Sequence, residues 1–180
     1  MDNYQKMIST NVLDNGCIIA LINELKLLPY KMVKEFYEND WHFHITANGL
    51  EFHVGERVPA PGEGCTCGLT FWDARTILIP TGSPAGCEEE YMYIKFATIH
   101  EFGHYFDRSK GFLSMSYEFQ KIYSTEDRIF CRELCTASNT DSSVEYFAES
   151  FSVFVHNGEK LKEFCPLTYN YFTNIFNKYR

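Results

Sequence analysis

The segment Thr98-Ile99-His100-Glu101-Phe102-Gly103-His104 sets two imidazoles four residues apart, with a carboxylate directly after the first. On a helix, positions four apart differ by about 40° around the axis and about 6 Å along it, so both rings point into one space. Two ring nitrogens can then sit ~2.0–2.1 Å from a single zinc ion. Glu101 is placed to take a proton from a water on that ion, whose pKa zinc lowers to about 7 while it polarises a carbonyl. The chemistry this spacing serves is hydrolysis of a peptide bond by an activated water, without a covalent intermediate. HExxH also arises by chance in ordinary helices, so its surroundings matter. The turn before it, Ile94 to Ile99, is largely apolar and can bury the helix. Gly103, which costs a helix ~1 kcal/mol, has a reason to be there if something must approach the backbone closely.

A catalytic zinc needs a third protein ligand and an open fourth position. Glu145 and Glu149, at i and i+4 in Val144–Phe151, share one face, away from Phe147, Phe151 and Phe154. One carboxylate can bind the metal and the other can accept the remaining N–H of a ligand histidine. The bland alternative is a solvated pair of surface glutamates. Two further clusters read as structure rather than chemistry. His42, His44 and His53 fall on or near strands, where a polar sheet face is the better reading than a second metal site. Cys131 and Cys135, four apart on a helix, read as buried inert thiols. Gly62-Glu63-Gly64 and Gly82-Ser83-Pro84 are turns without the form of a phosphate cradle.

The elements that must position these residues follow from periodicity. Val12 to Leu28 has helical spacing, Pro29 restarts a helix through Tyr37, and Asn39-Asp40 ends it. Trp41 to Thr46 alternates like a strand, Asn48-Gly49 is a turn, and Leu50 to Val54 is a second short strand. Residues 55–68 form a Gly/Pro-rich loop. Strands over Thr70–Trp72 and Thr76–Pro80 flank an Asp73-Ala74 turn. The active-site helix spans Glu88 to Asp107, with Glu88, Glu89 and Glu90 at its positive end. Helices over Ser116–Cys135 and Ser143–Val155 follow, and Pro166 opens a last one. The pattern predicts an α+β domain with a small twisted sheet and a mostly helical C-terminal half.

Bulk properties bound the function. A chain of 180 residues suits one domain, 1–180, and its sixteen Phe and twelve Tyr predict a core of large rings. A net charge of −8 argues against nucleic acid as a partner. No apolar run approaches the ~18 residues that span a bilayer. Cys17–Ile22 is stopped by Asn23 and Glu24 and lacks a basic leader, so it reads as an amphipathic helix and no signal peptide is expected. Seven cysteines leave at least one unpaired within a monomer; disulfides are expected only if the chain is secreted, with Cys65-Thr66-Cys67 the first segment to supply one, and the redox compartment is left open.

His100-Glu101-Phe102-Gly103-His104 with Asp107, followed by Glu145-Tyr146-Phe147-Ala148-Glu149-Ser150-Phe151, resembles the anthrax lethal factor-like zinc peptidases, which include the clostridial Pro-Pro endopeptidases. The resemblance extends over about residues 12–178. It implies a zincin-like fold and a zinc-dependent endopeptidase of gluzincin type with one Zn2+ per chain. It further implies that His100, His104 and Glu145 are the ligands, that Glu101 is the general base, and that Glu149 and Asp107 orient the ligands from behind. An extended peptide is expected along an edge strand near Thr76–Ile79, with a core strand as the alternative reading of that segment, and its side chains are read by the 55–68 loop, the 81–86 loop and Phe71-Trp72. The family's relatives leave secretion open for this chain. One departure stands out: where the family carries an oxyanion-stabilising tyrosine, this chain has Ser138. Tyr123, Tyr146 and His156 are the candidate replacements, and the alternative function is a zinc-bearing binding module with lapsed or very weak peptidase activity.

Overall fold

The computed structural model describes residues 3–47, 68–81, 91–134 and 140–180. The expected strand Leu50–Val54, His53, the glutamates Glu88 to Glu90, Cys65, Cys67, Cys135 and Ser138 all lie outside the described residues. The chain forms two compact units, residues 1–101 and 102–180, and the boundary falls inside one helix.

Among the described residues, the first unit is built on a four-stranded mixed sheet of β1 (Ile8–Thr10), β2 (His42–Thr46), β3 (Leu69–Phe71) and β4 (Thr76–Pro80), in the order β1-β2-β4-β3. β1 runs parallel to β2 and β2 parallel to β4, while β3 returns antiparallel to β4. Parallel neighbours need a long connection, and after a short helix α1 (Asn3–Lys6) the chain supplies it between β1 and β2 with α2 (Asn15–Leu25) and α3 (Tyr30–Glu38). Asp14 caps α2 by accepting the Gly16 N–H at 2.8 Å. Pro29 precedes α3, and Asp40, at φ 59°, turns the chain into β2. Met32, Val33 and Phe36 are buried on α3. The Phe36 ring stacks on Phe43 of β2 at 5.0 Å and tilts against Trp41 at 5.9 Å, which seats the helix on the sheet. β1 was not expected, because three residues are too few to display a period.

The sheet order corrects one expectation. Thr76–Ile79 is not an edge: β4 pairs with β2 along its whole length and with β3 from Thr76 to Leu78. Its three consecutive buried residues, Ile77, Leu78 and Ile79, are those of an inner strand. The edge beyond β4 is β3, paired among the described residues with β4 alone.

The second unit is helical. It holds the end of α4 (Met92–Ser109), a 3-10 turn at Leu113–Met115, α5 (Tyr117–Glu133), α6 (Ser143–Phe164) and α7 (Pro166–Asn177). Ser116 and Ser142 cap α5 and α6 by accepting from the Phe119 and Glu145 N–H groups. α6 runs past the expected end at Val155. Asn157 does break the helical backbone, at φ −148°, but the chain re-enters a helix that lasts to Phe164. Glu126 on α5 is buried and accepts the Leu167 and Thr168 N–H groups, each at 2.9 Å, and the Thr168 hydroxyl at 2.7 Å. A carboxylate thus satisfies the unpaired donors and positive end of α7. The core between these helices is aromatic, as expected: Phe119, Phe147, Phe151 and Phe172 are fully buried, with ring separations of 5.0 Å (Phe119–Phe147), 5.2 Å (Phe147–Phe172) and 5.5 Å (Phe151–Phe172). The molecule is the predicted α+β type. Among the described residues no helix is long and apolar enough to cross a membrane.

Candidate metal centre

α4 carries HExxH in its middle. Its start is pinned by Tyr91, at φ 59°, whose hydroxyl donates to Asp14 beside the first turn of α2. Ile94, Ala97, Thr98, Ile99, Phe102, Tyr105 and Phe106 are buried along α4, and the Thr98 hydroxyl is satisfied by the Ile94 carbonyl at 2.6 Å. Against that burial, His100 and His104 are both half-buried, on one face and one turn apart.

α6 meets the second half of α4 at a close crossing. A Cβ on Gly103 would lie 3.0 Å from the Ala148 Cα and 3.3 Å from its carbonyl oxygen, so Gly103 is the residue that lets the two backbones meet. That crossing brings Glu145 Oε2 to 3.5 Å from His104 Nε2. One ligand atom from each of His100, His104 and Glu145 falls within 4.8 Å of the others, the sole such group of three among the described residues. Ligands of a tetrahedral zinc at ~2.0–2.1 Å stand about 3.3 Å apart, so the three side chains fit an ion with small rotations. Two imidazoles and a carboxylate are a donor set that suits zinc.

Glu149 is buried on α6 one turn beyond Glu145. Glu101 is 7% exposed, and its Oε2 accepts the Thr70 hydroxyl at 2.6 Å. Asp107, the other carboxylate expected to orient a ligand, accepts the Ser114 N–H at 2.6 Å on one oxygen and the Ser114 hydroxyl at 2.7 Å on the other, which tethers the 3-10 turn. Of the candidate replacements for the oxyanion tyrosine, Tyr146 is fully buried with its hydroxyl 2.7 Å from Thr168 Oγ1, and Tyr123 donates to the Thr140 carbonyl at 3.2 Å. His156 Nδ1 lies 3.0 Å from the Ser152 carbonyl oxygen. Each of the three is engaged within the second unit's own helices and loops.

Of the other clusters, His42, His44 and Cys131 fall among the described residues. His42 Nε2 lies 2.9 Å from Thr76 Oγ1 and His44 Nδ1 lies 2.9 Å from Ser9 Oγ, cross-strand pairs on the polar sheet face that was expected. Cys131 is exposed rather than buried, and it sits 2.5 Å from Thr140 Oγ1, which donates to Asp127. Thr70 escaped the sequence reading. It lies 31 residues from Glu101 with no motif of its own, and only the antiparallel return of β3 along β4 brings them together.

The chain belongs to the anthrax toxin lethal factor family: residues 85–175 match the family described as "Anthrax toxin lethal factor, N- and C-terminal domain". Its fold is similar to that of the solved Pro-Pro endopeptidase PPEP-2 from Paenibacillus alvei. The TM-score is 0.72 at 18% identity, over 97% of this chain and 100% of that one. No curated protein matches the sequence significantly.

Proposed function

We propose that the chain is a zinc-dependent endopeptidase, one peptidase domain over residues 1–180, that binds one Zn2+ through His100, His104 and Glu145. The observation that carries this reading is the convergence of those three donors next to Glu101. When bound, zinc supplies a Lewis acid that acidifies water and polarises the scissile carbonyl. Glu101 takes the proton of the attacking water and passes it to the leaving amine. Glu149, buried one turn beyond Glu145 on α6, is the carboxylate assigned to orient the ligands. An extended peptide adds to the outer edge of β3, whose Thr70 already touches Glu101. The solved neighbour that spans nearly all of this chain, a Pro-Pro endopeptidase, supports a peptide substrate.

Ser138, in place of the tyrosine that relatives use, favours a second reading: a zinc-bearing binding module that cleaves weakly or not at all. Metal analysis and a diverse peptide library, with a chelator control, separate the two. The endopeptidase should cleave, lose cleavage with chelator, and lose it in Glu101→Ala while that variant keeps its zinc. His100→Ala and His104→Ala should each lose most of the metal. Full zinc content in either histidine variant overturns the ligand assignment, and a library left intact by the zinc-loaded protein favours the binding module.

A further inference from the structure

We infer that Thr70 is a positioning residue for Glu101, holding the base's carboxylate in a single orientation from strand β3; the inference rests on Glu101 acting as the base. A glutamate has three side-chain torsions, and a base must present one oxygen to the water it deprotonates, so something must remove that freedom. Thr70 Oγ1 donates to Glu101 Oε2 at 2.6 Å, the short length of a hydroxyl bound to a carboxylate. With Oε2 held, Oε1 is the oxygen left to accept the proton. Thr70 is itself fixed twice over. Its branched Cβ restricts χ1, and the pairing of Leu69 with Leu78, Thr70 with Ile77 and Phe71 with Thr76 locks β3 to the inner strand.

Gly68 completes the grip. A Cβ there would stand 2.6 Å from Glu101 Cγ and 3.0 Å from both Cδ and Oε1, so the chain can close on the glutamate because residue 68 has no side chain. Residues 68 and 70 therefore bracket the same carboxylate, one by contact and one by hydrogen bond. The strand to which a peptide would add is also the strand that sets the base.

The test compares Thr70→Val, which keeps shape and strand preference but loses the donor, with Thr70→Ser, which keeps the donor. In the zinc-loaded protein Thr70→Val should lower kcat about 10–100-fold with KM within about twofold. Thr70→Ser should restore most of kcat, and zinc content should match the wild type in both. A readout independent of turnover is the melting temperature of the zinc-loaded protein. Thr70→Val should lower Tm by roughly 3–6 °C in the wild type and by about 1 °C or less in a Glu101→Ala background, because the lost bond has no acceptor there. Equal shifts in the two backgrounds overturn the inference. So does an unchanged kcat in Thr70→Val where Glu101→Gln abolishes cleavage, or a Thr70→Ser variant as slow as Thr70→Val. Wild-type cleavage by Glu101→Gln is the separate result that removes the peptidase reading and the inference with it.

Discussion

Glu145 and Glu149 carry the same group on the same helix, yet their surroundings divide them. The Glu145 side chain is 43% exposed and stands 3.5 Å from His104, whereas Glu149 is 8% exposed one turn further on. The i and i+4 spacing is the one that lets His100 and His104 share an ion, so spacing does not choose between the carboxylates. The choice rests on Glu145 being the carboxylate grouped with both histidines among the described residues. A carboxylate on the metal contributes a bond and a negative charge. One behind it contributes orientation, worth 10–100-fold in affinity or activity by the usual range, roughly. Glu145→Gln should therefore weaken zinc binding more than Glu149→Gln, with helical circular dichroism unchanged in both. Measured zinc affinities in the reverse order would move the ligand role to Glu149. Asp107 illustrates the same point from the other side. It sits seven residues after His100 on α4, and each of its oxygens accepts a hydrogen bond from Ser114.

At the scale of elements, the site depends on how closely α6 approaches the second half of α4. The atoms facing a Cβ on Gly103 are backbone atoms of Ala148, which cannot swing aside as a long side chain could. Gly103→Ala must therefore push the helices apart by a few tenths of an ångström. Overpacking costs about 1–3 kcal/mol and the better helix propensity of alanine offsets about 1, so a net loss of about 1 kcal/mol is expected. That corresponds to a Tm lower by about 2–4 °C. The same displacement moves Glu145 away from His104, so zinc affinity should fall as well. A Gly103→Ala protein with unchanged Tm and zinc affinity would show that the crossing has room to spare.

For the whole molecule, the packed aromatic half sets the response to pH. Burial, followed by the charge of Glu126, pushes the Cys165 thiol up to about 12 from an ordinary 9.0. Burial likewise pushes the Tyr171 hydroxyl up to about 12 from 10.0. Both groups keep their protons in the folded chain over a range where the unfolded chain has lost them. The unfolded state then binds fewer protons, and stability falls as pH rises. Their contribution is complete below about pH 9 and is lost between about pH 9 and 12, with Cys165 contributing up to about 1.4 kcal/mol per pH unit. Urea denaturation at pH 7, 9, 10 and 11 should show a decline that begins above pH 9 and is shallower in Cys165→Ala. An equal slope in that variant would assign the alkaline response to other groups.

The sequence by itself determined the features that depend on local spacing. HExxH and the Glu145–Glu149 pair are read from residues within one or two helical turns, as are the helix starts expected at Ser116, Ser143 and Pro166, where the structure places caps at Ser116 and Ser142 and a first helical residue at Pro166. Gly103 announced a close approach without saying what approached. What met it was decided by tertiary structure, because Ala148 lies 45 residues away and no local rule pairs them. The order of the sheet was decided the same way. A run such as Thr76–Ile79 reads alike at an edge or inside, and only the antiparallel return of β3 made it an inner strand. That return also delivered Thr70 to Glu101. Periodicity reports which face of an element is buried; which neighbour buries it is a property of the assembled chain.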